Sequence, residues 1–240
     1  MNHKRGVARL LDDMLPHIQA KMGQFNKHGL AISCWSLAVL GLSTHPAMEA
    51  LMREANSRQQ KQPGCFTLDG FSQLRQAHLE LHDQGWAHLG LSGQLHEEAQ
   101  RALKGRGAGT DRQPHSMLQR QVGAAVHELE PNSVVKMEGR TPCGRFGAVD
   151  MLVTRPGQTL PLAVEVDGPT HFICSKPPRY DGCTELRNRQ LGRLPLRGLF
   201  GLVLVSHHEW GDKSHQARLE LLRVKLAQAD VRGPGGASRV

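Results

Sequence analysis

Asp150, Glu165 and Asp167 form the densest set of chemistry-bearing side chains in this sequence. Glu165 and Asp167 sit two residues apart in an apolar run, Leu162-Ala163-Val164-Glu165-Val166-Asp167. In a strand, residues i and i+2 point to one face, so the spacing predicts two adjacent carboxylates. Asp150 closes another apolar stretch, Gly147-Ala148-Val149, and antiparallel pairing would bring it beside them. Carboxylates meeting at a sheet edge suit Mg²⁺, a hard cation that prefers oxygen ligands, and such a site can serve phosphodiester cleavage. Asp150 and Glu165 are the expected metal ligands, and no other cofactor is indicated. The plainer reading is a turn, because Asp167-Gly168-Pro169 is strong turn chemistry by itself. An acid between Val164 and Val166 still needs a compensating partner.

A second constellation is basic. Arg179, Arg187, Arg189, Arg193 and Arg197 face only Asp181 and Glu185 within the same segment. Arginine suits phosphate because its planar fork donates two parallel hydrogen bonds, so these five are expected to contact RNA rather than to form a merely solvated helix face. His171, Cys174, Cys183 and His207-His208 follow no standard zinc spacing. Aromatic residues are only 4% of the chain, with a single tyrosine, Tyr180. A base-stacking sheet would want more of them, so phosphates and repeat helices are expected to carry recognition. Trp210 reads as a core anchor.

The elements that must position these groups are legible from periodicity. Leu30, Cys34, Leu37, Ala38 and Gly41 mark a helix, widened by Trp35 and Val39. Pro46 opens another, carrying Met48, Leu51, Met52 and Ala55. Asp69 is the expected cap of a helix through Phe71, Leu74, His78 and Leu81, and Ser92 opens one through Leu95, Ala99 and Leu103. These make an all-α helical-hairpin, repeat-like segment over 1–104, with a linker at 105–114. Beyond it, Ser116 caps a helix, and strand-like runs span 133–138, 146–154 and 160–167, the last two joined by the Pro156-Gly157 turn. Thr184 starts an Arg-rich helix, 201–206 is a strand, and 213–227 is an amphipathic helix. The order α-β-β-β-α-β-α over 115–230 predicts a small α/β domain, and 231–240 reads as a disordered tail.

Composition sets outer limits. The 240 residues are 39% hydrophobic and 22% charged, and no run approaches a bilayer span; no membrane role is expected. A formal charge of +8 favours polyanionic partners. Five cysteines, odd in number and without a CxxC pair, make a poor disulfide framework. Met1 to Arg9 is basic, but Asp12 and Asp13 follow at once, so no transit peptide is legible in the chain.

The block Ala163-Val164-Glu165-Val166-Asp167-Gly168-Pro169-Thr170-His171-Phe172 resembles the core motif of the RAP domain family. Gly182-Cys183-Thr184-Glu185-Leu186-Arg187-Asn188-Arg189-Gln190-Leu191 resembles that family's G-x-T-x-x-K-x-R-x-L helix start. His207-His208-Glu209-Trp210 after the 201–206 strand resembles its closing x-x-E-W, and Phe146-Gly147-Ala148-Val149-Asp150 its S-V-D strand, with Ala148 in place of the small polar residue. The likeness runs in order over about 116–226. A shorter segment, 30–42, resembles the helix of octotricopeptide and FASTK-type repeats.

The RAP resemblance implies a restriction-endonuclease-like, PD-(D/E)XK core with a mixed sheet. It also implies a role in mitochondrial or chloroplast RNA processing, stability or translation. Where the nuclease pattern has a lysine two residues after the glutamate, this chain has Asp167. Arg187 or Arg189 would be the substitute cation, but an arginine is nearly always charged and shuttles protons poorly. The favoured expectation is therefore RNA binding without efficient cleavage. The rivals are a Mg²⁺-dependent endoribonuclease using Asp150, Glu165 and Asp167, and a structural component held among the proteins of an organellar ribonucleoprotein.

Overall fold

A computed structural model describes residues 2–106, 115–141, 148–193 and 201–231. Arg197 lies outside them, as do 146–147 of the second strand run and most of the expected linker and tail. The chain divides into two compact units, Met1–Gly109 and Thr110–Val240.

The first unit is helical: α1 (Asn2–Ala20), α2 (Lys27–Val39), α3 (Pro46–Lys61), α4 (Leu68–Asp83) and α5 (Gly93–Arg106). In α2 the buried residues are Leu30, Ala31, Cys34, Leu37 and Ala38, one stripe at helical spacing. This stripe packs on α4, whose Phe71, Leu74, Ala77 and Leu81 are buried. Gly41, at φ +66°, closes α2 in a Schellman arrangement: Leu42 N–H donates to Leu37 O and Gly41 N–H to Ala38 O. Two expectations need correction. The cap of α4 is Thr67, whose hydroxyl accepts from Gly70 N–H at 3.1 Å, and Asp69 lies inside the first turn. Residues 105–106, read as linker, continue α5. Helix α1 was not foreseen; Gly6 and Pro16 interrupt its pattern.

The second unit is mixed α/β. Ser116 caps α6 (Met117–Leu129) in a full capping box with Gln119. The strands β1 (Val134–Arg140), β2 (Ala148–Thr154), β3 (Leu162–Asp167) and β6 (Gly201–Ser206) form one sheet in the order β1-β2-β3-β6. The first three pair antiparallel, whereas β3 and β6 run parallel. Arg155-Pro156-Gly157-Gln158 turns β2 into β3: Gly157 takes φ +75°, and Gln158 N–H donates to Arg155 O. Every residue of β3 is buried, as a central strand covered on both faces requires.

One face of the sheet (Met151, Val153, Leu162, Val164, Val203, Val205) packs on α6 and α9 (His215–Val231). The other gathers Val149, Leu152 and Ala163 against Leu191 of α7 (Gly182–Leu191). Asp181 caps α7, accepting from Thr184 N–H at 2.7 Å, so the helix starts two residues earlier than its pattern suggested. Between β3 and α7 a two-stranded ribbon, β4 (Phe172–Ile173) with β5 (Arg179–Tyr180), intervenes, and α8 (His207–Trp210) follows β6. Trp210 is 2% exposed and donates from Nε1 to Gln121, which makes it a core anchor. Val231, the first residue of the expected tail, ends α9.

Candidate functional site

The period of α7 and the pleat of β3 interlock. Thr184, Arg187, Asn188 and Leu191 recur at i, i+3, i+4 and i+7, so they share one helix face. That face meets the β3 residues that point away from the α6/α9 core. Leu191 shares a hydrophobic cluster with Ala163. Arg187 Nη2 donates to Glu165 Oε1 at 2.7 Å, and Asn188 Nδ2 approaches Asp167 Oδ2 at 3.4 Å. Thr184 Oγ1 lies 2.9 Å from His171 Nδ1, just past the end of the strand. Glu165 and Asp167 thus share one face, and each has its own partner.

Both carboxylates are buried, at 6% and 3% exposure. Burial pushes the Glu165 carboxyl up to about 7, against the pull of the Arg187 guanidinium, with Asp150 and Asp167 adding like-charge repulsion. Asp167 is also raised, first by burial, while the Tyr180 hydroxyl, His171 and Asn188 favour its charged form. Tyr180 donates its hydroxyl to Asp167, and its own ionisation is pushed upward by burial and by that carboxylate. Arg187 also donates to Ala148 O at 2.7 Å, tying α7 to the start of β2.

Asp150 is placed differently. Its Oδ1 accepts from Gln119 Nε2 at 2.7 Å and its Oδ2 from Val166 N–H at 2.6 Å. The side chain therefore joins the first turn of α6 to β3, where the β2–β3 ladder has ended at Met151↔Val164. The alternation of faces fails here: Val149 and Leu152, three apart, pack in the same cluster. Opposite them in β1, Glu138 takes φ +49°, and Glu138 and Asp150 drop out of an otherwise continuous register.

These contacts occupy the expected metal ligands. Both oxygens of Asp150 are engaged, and Glu165 is held by a guanidinium. Among the described residues, no group of three or more His, Cys, Asp or Glu side chains is arranged to hold a metal ion. The expected Mg²⁺ set of Asp150 and Glu165 does not fit this arrangement.

The helical period also divides the predicted arginines. Arg187 turns inward to Glu165, Arg189 lies on another side of α7, and Arg193 falls in the turn beyond its end; Arg179 is exposed on β5. Counting charges along 179–197 missed this division, which the i, i+3, i+4, i+7 stripe encodes. Sequence reasoning also missed Gln119, Asn188 and the pairing of Tyr180 with Asp167. The capping-box spacing from Ser116 was a signal for Gln119, and the α7 stripe was one for Asn188. Tyr180 reaches Asp167 through the short ribbon, which carries no periodic signal.

No family model matches the chain, and no curated protein matches it.

Proposed function

We propose that the second unit is an RNA-binding domain of the RAP type, with a restriction-endonuclease-like core that holds RNA without cutting it efficiently. The chain would act in mitochondrial or chloroplast RNA processing, stability or translation. The observation that carries this reading is the Arg187–Glu165 contact among the buried carboxylates. A guanidinium already neutralises the carboxylate that a catalytic metal would need, and it cannot release its proton to serve as a base. The surplus of positive charge and the exposed Arg179 favour phosphate. The parallel β3–β6 pair supports the site's position, because ligands of open α/β sheets gather at the carboxyl ends of parallel strands.

The test is fluorescence anisotropy with labelled RNA, run beside a cleavage assay in Mg²⁺ and in Mn²⁺. Binding without cleavage, weakened by Arg179→Ala, is the expected result. Metal-dependent cleavage that disappears in Asp150→Ala or Glu165→Ala would establish the endoribonuclease instead. Absence of RNA binding would end the proposal.

A further inference from the structure

In a chain with 6 Phe, 3 Trp and 1 Tyr, aromatic rings are scarce. Two of them nevertheless meet two imidazoles at the carboxyl end of the parallel strand pair. Asp167 and Ser206 stand opposite each other where β3 and β6 end. The chain leaves β3 into the ribbon, where Phe172 and Tyr180 are cross-strand partners with rings stacked at 4.6 Å. It leaves β6 directly into His207 and His208, whose rings stand edge-on to Phe172 at 5.1 and 4.8 Å and 3.7 Å from each other. Four rings from two separate elements thus form one cluster, linked to the carboxylate site through the Tyr180 hydroxyl on Asp167.

Holding the ribbon together accounts for Phe172 and Tyr180, since an aromatic cross-strand pair stabilises a short hairpin. It does not account for the rest. His208 is exposed, so its ring is not there to fill a core. His207 Nδ1 is buried without a hydrogen-bond partner, a polar atom left unsatisfied beside the rings. Arg179 and Ile173, paired on the same ribbon, are both exposed, with Ile173 at 50%, so a cation and an apolar side chain stand one residue along the ribbon from the rings, on its other face. An exposed imidazole beside a stacked aromatic pair, an unsatisfied polar atom and an exposed guanidinium one residue along the ribbon match the three parts of a nucleotide: a flat base, its polar edge and its phosphate.

We propose that Phe172, Tyr180, His207 and His208 form a stacking site for an unpaired base of single-stranded RNA, with Arg179 taking the neighbouring phosphate. The site rests on the RNA-binding reading and refines it, because stacking needs a base that is not already paired inside a helix. Every base has a π-face, so the site tolerates sequence and selects for single strands.

The test compares a labelled oligouridylate of about 12 nucleotides, within the span of single-strand sites, with a blunt RNA duplex of similar length, by anisotropy on the full chain. His208→Ala removes an exposed ring, and Phe172→Leu keeps an apolar side chain in the ribbon without a π-face. Each is expected to weaken single-strand binding by about five- to tenfold and to leave the duplex unchanged. Arg179→Ala is expected to weaken both ligands. Wild-type affinity for the single strand in both ring variants overturns the stacking site and leaves RNA binding standing. So does an equal loss on both ligands, or a wild-type chain that holds only the duplex. If the wild-type chain binds neither ligand, the RNA-binding reading itself falls.

Discussion

At Glu165 two opposed effects set the state of one carboxyl. Burial disfavours the charge, the Arg187 guanidinium favours it, and the balance leaves the group at about 7. Between 4.5, its ordinary value, and about 7 the folded protein holds a proton that the unfolded chain has released. Stability therefore falls as pH rises through that window, and the contribution is fully present only below it. Glu165→Gln keeps an oxygen to accept from Arg187 and cannot ionise. Its melting temperature relative to wild type is expected to rise between about pH 5 and about pH 8, with a ceiling on the order of 3 kcal/mol. Thermal denaturation followed by circular dichroism checks this. A difference independent of pH would mean that Glu165 is ionised across the whole range.

Helices and strands differed in how much the sequence disclosed about them. Helix α6 was readable because Ser116 and Gln119 form a capping box and Val122, Ala125 and Val126 keep helical spacing. The β2–β3 hairpin was readable because Pro156-Gly157 fits only a few turns. The pairing of Glu165 with Asp167 on one face follows from the pleat alone. Antiparallel pairing brings Asp150 near both carboxyls, as expected, but pairing alone could not disclose its ties to Gln119 and Val166, which sit at a local distortion opposite Glu138. The ribbon escaped notice because strands of two residues have no period to detect.

The helical unit has a comparable close fit, with a sharper test. His78 Nδ1 accepts from Leu91 N–H at 3.0 Å, and burial lowers its proton affinity to about 4, with His96 the next cause. A Cβ at Gly90 would stand 2.1 Å from that same nitrogen. Gly90→Ala must push the imidazole aside and strand the Leu91 N–H, so a loss of about 1–3 kcal/mol is expected in urea denaturation. Unchanged stability would mean that the Gly90–Leu91 segment can move away from α4 without losing contacts.

Among the described residues, part of the acidic charge is spent on internal partners. Glu49, Glu54, Glu130, Glu165, Glu209 and Glu220 each pair with an arginine or lysine. Each pair cancels one charge of either sign, so the formal surplus of +8 survives for the surroundings. Such a surplus attracts a polyanion by releasing its counterions, and that release grows weaker as salt is added. For a single strand the logarithm of affinity falls with that of salt by about 0.7 for each phosphate neutralised. If three phosphates are neutralised, one of them by Arg179, going from about 50 to about 200 mM salt weakens binding roughly twentyfold. Arg179→Ala removes one contact and flattens the slope by about 0.7, whereas His208→Ala lowers affinity at every salt concentration and keeps the slope. A titration series over salt thus separates the charged half of the interface from the stacked half. A slope near zero in the wild-type chain would show that phosphate is not what this surplus of charge engages.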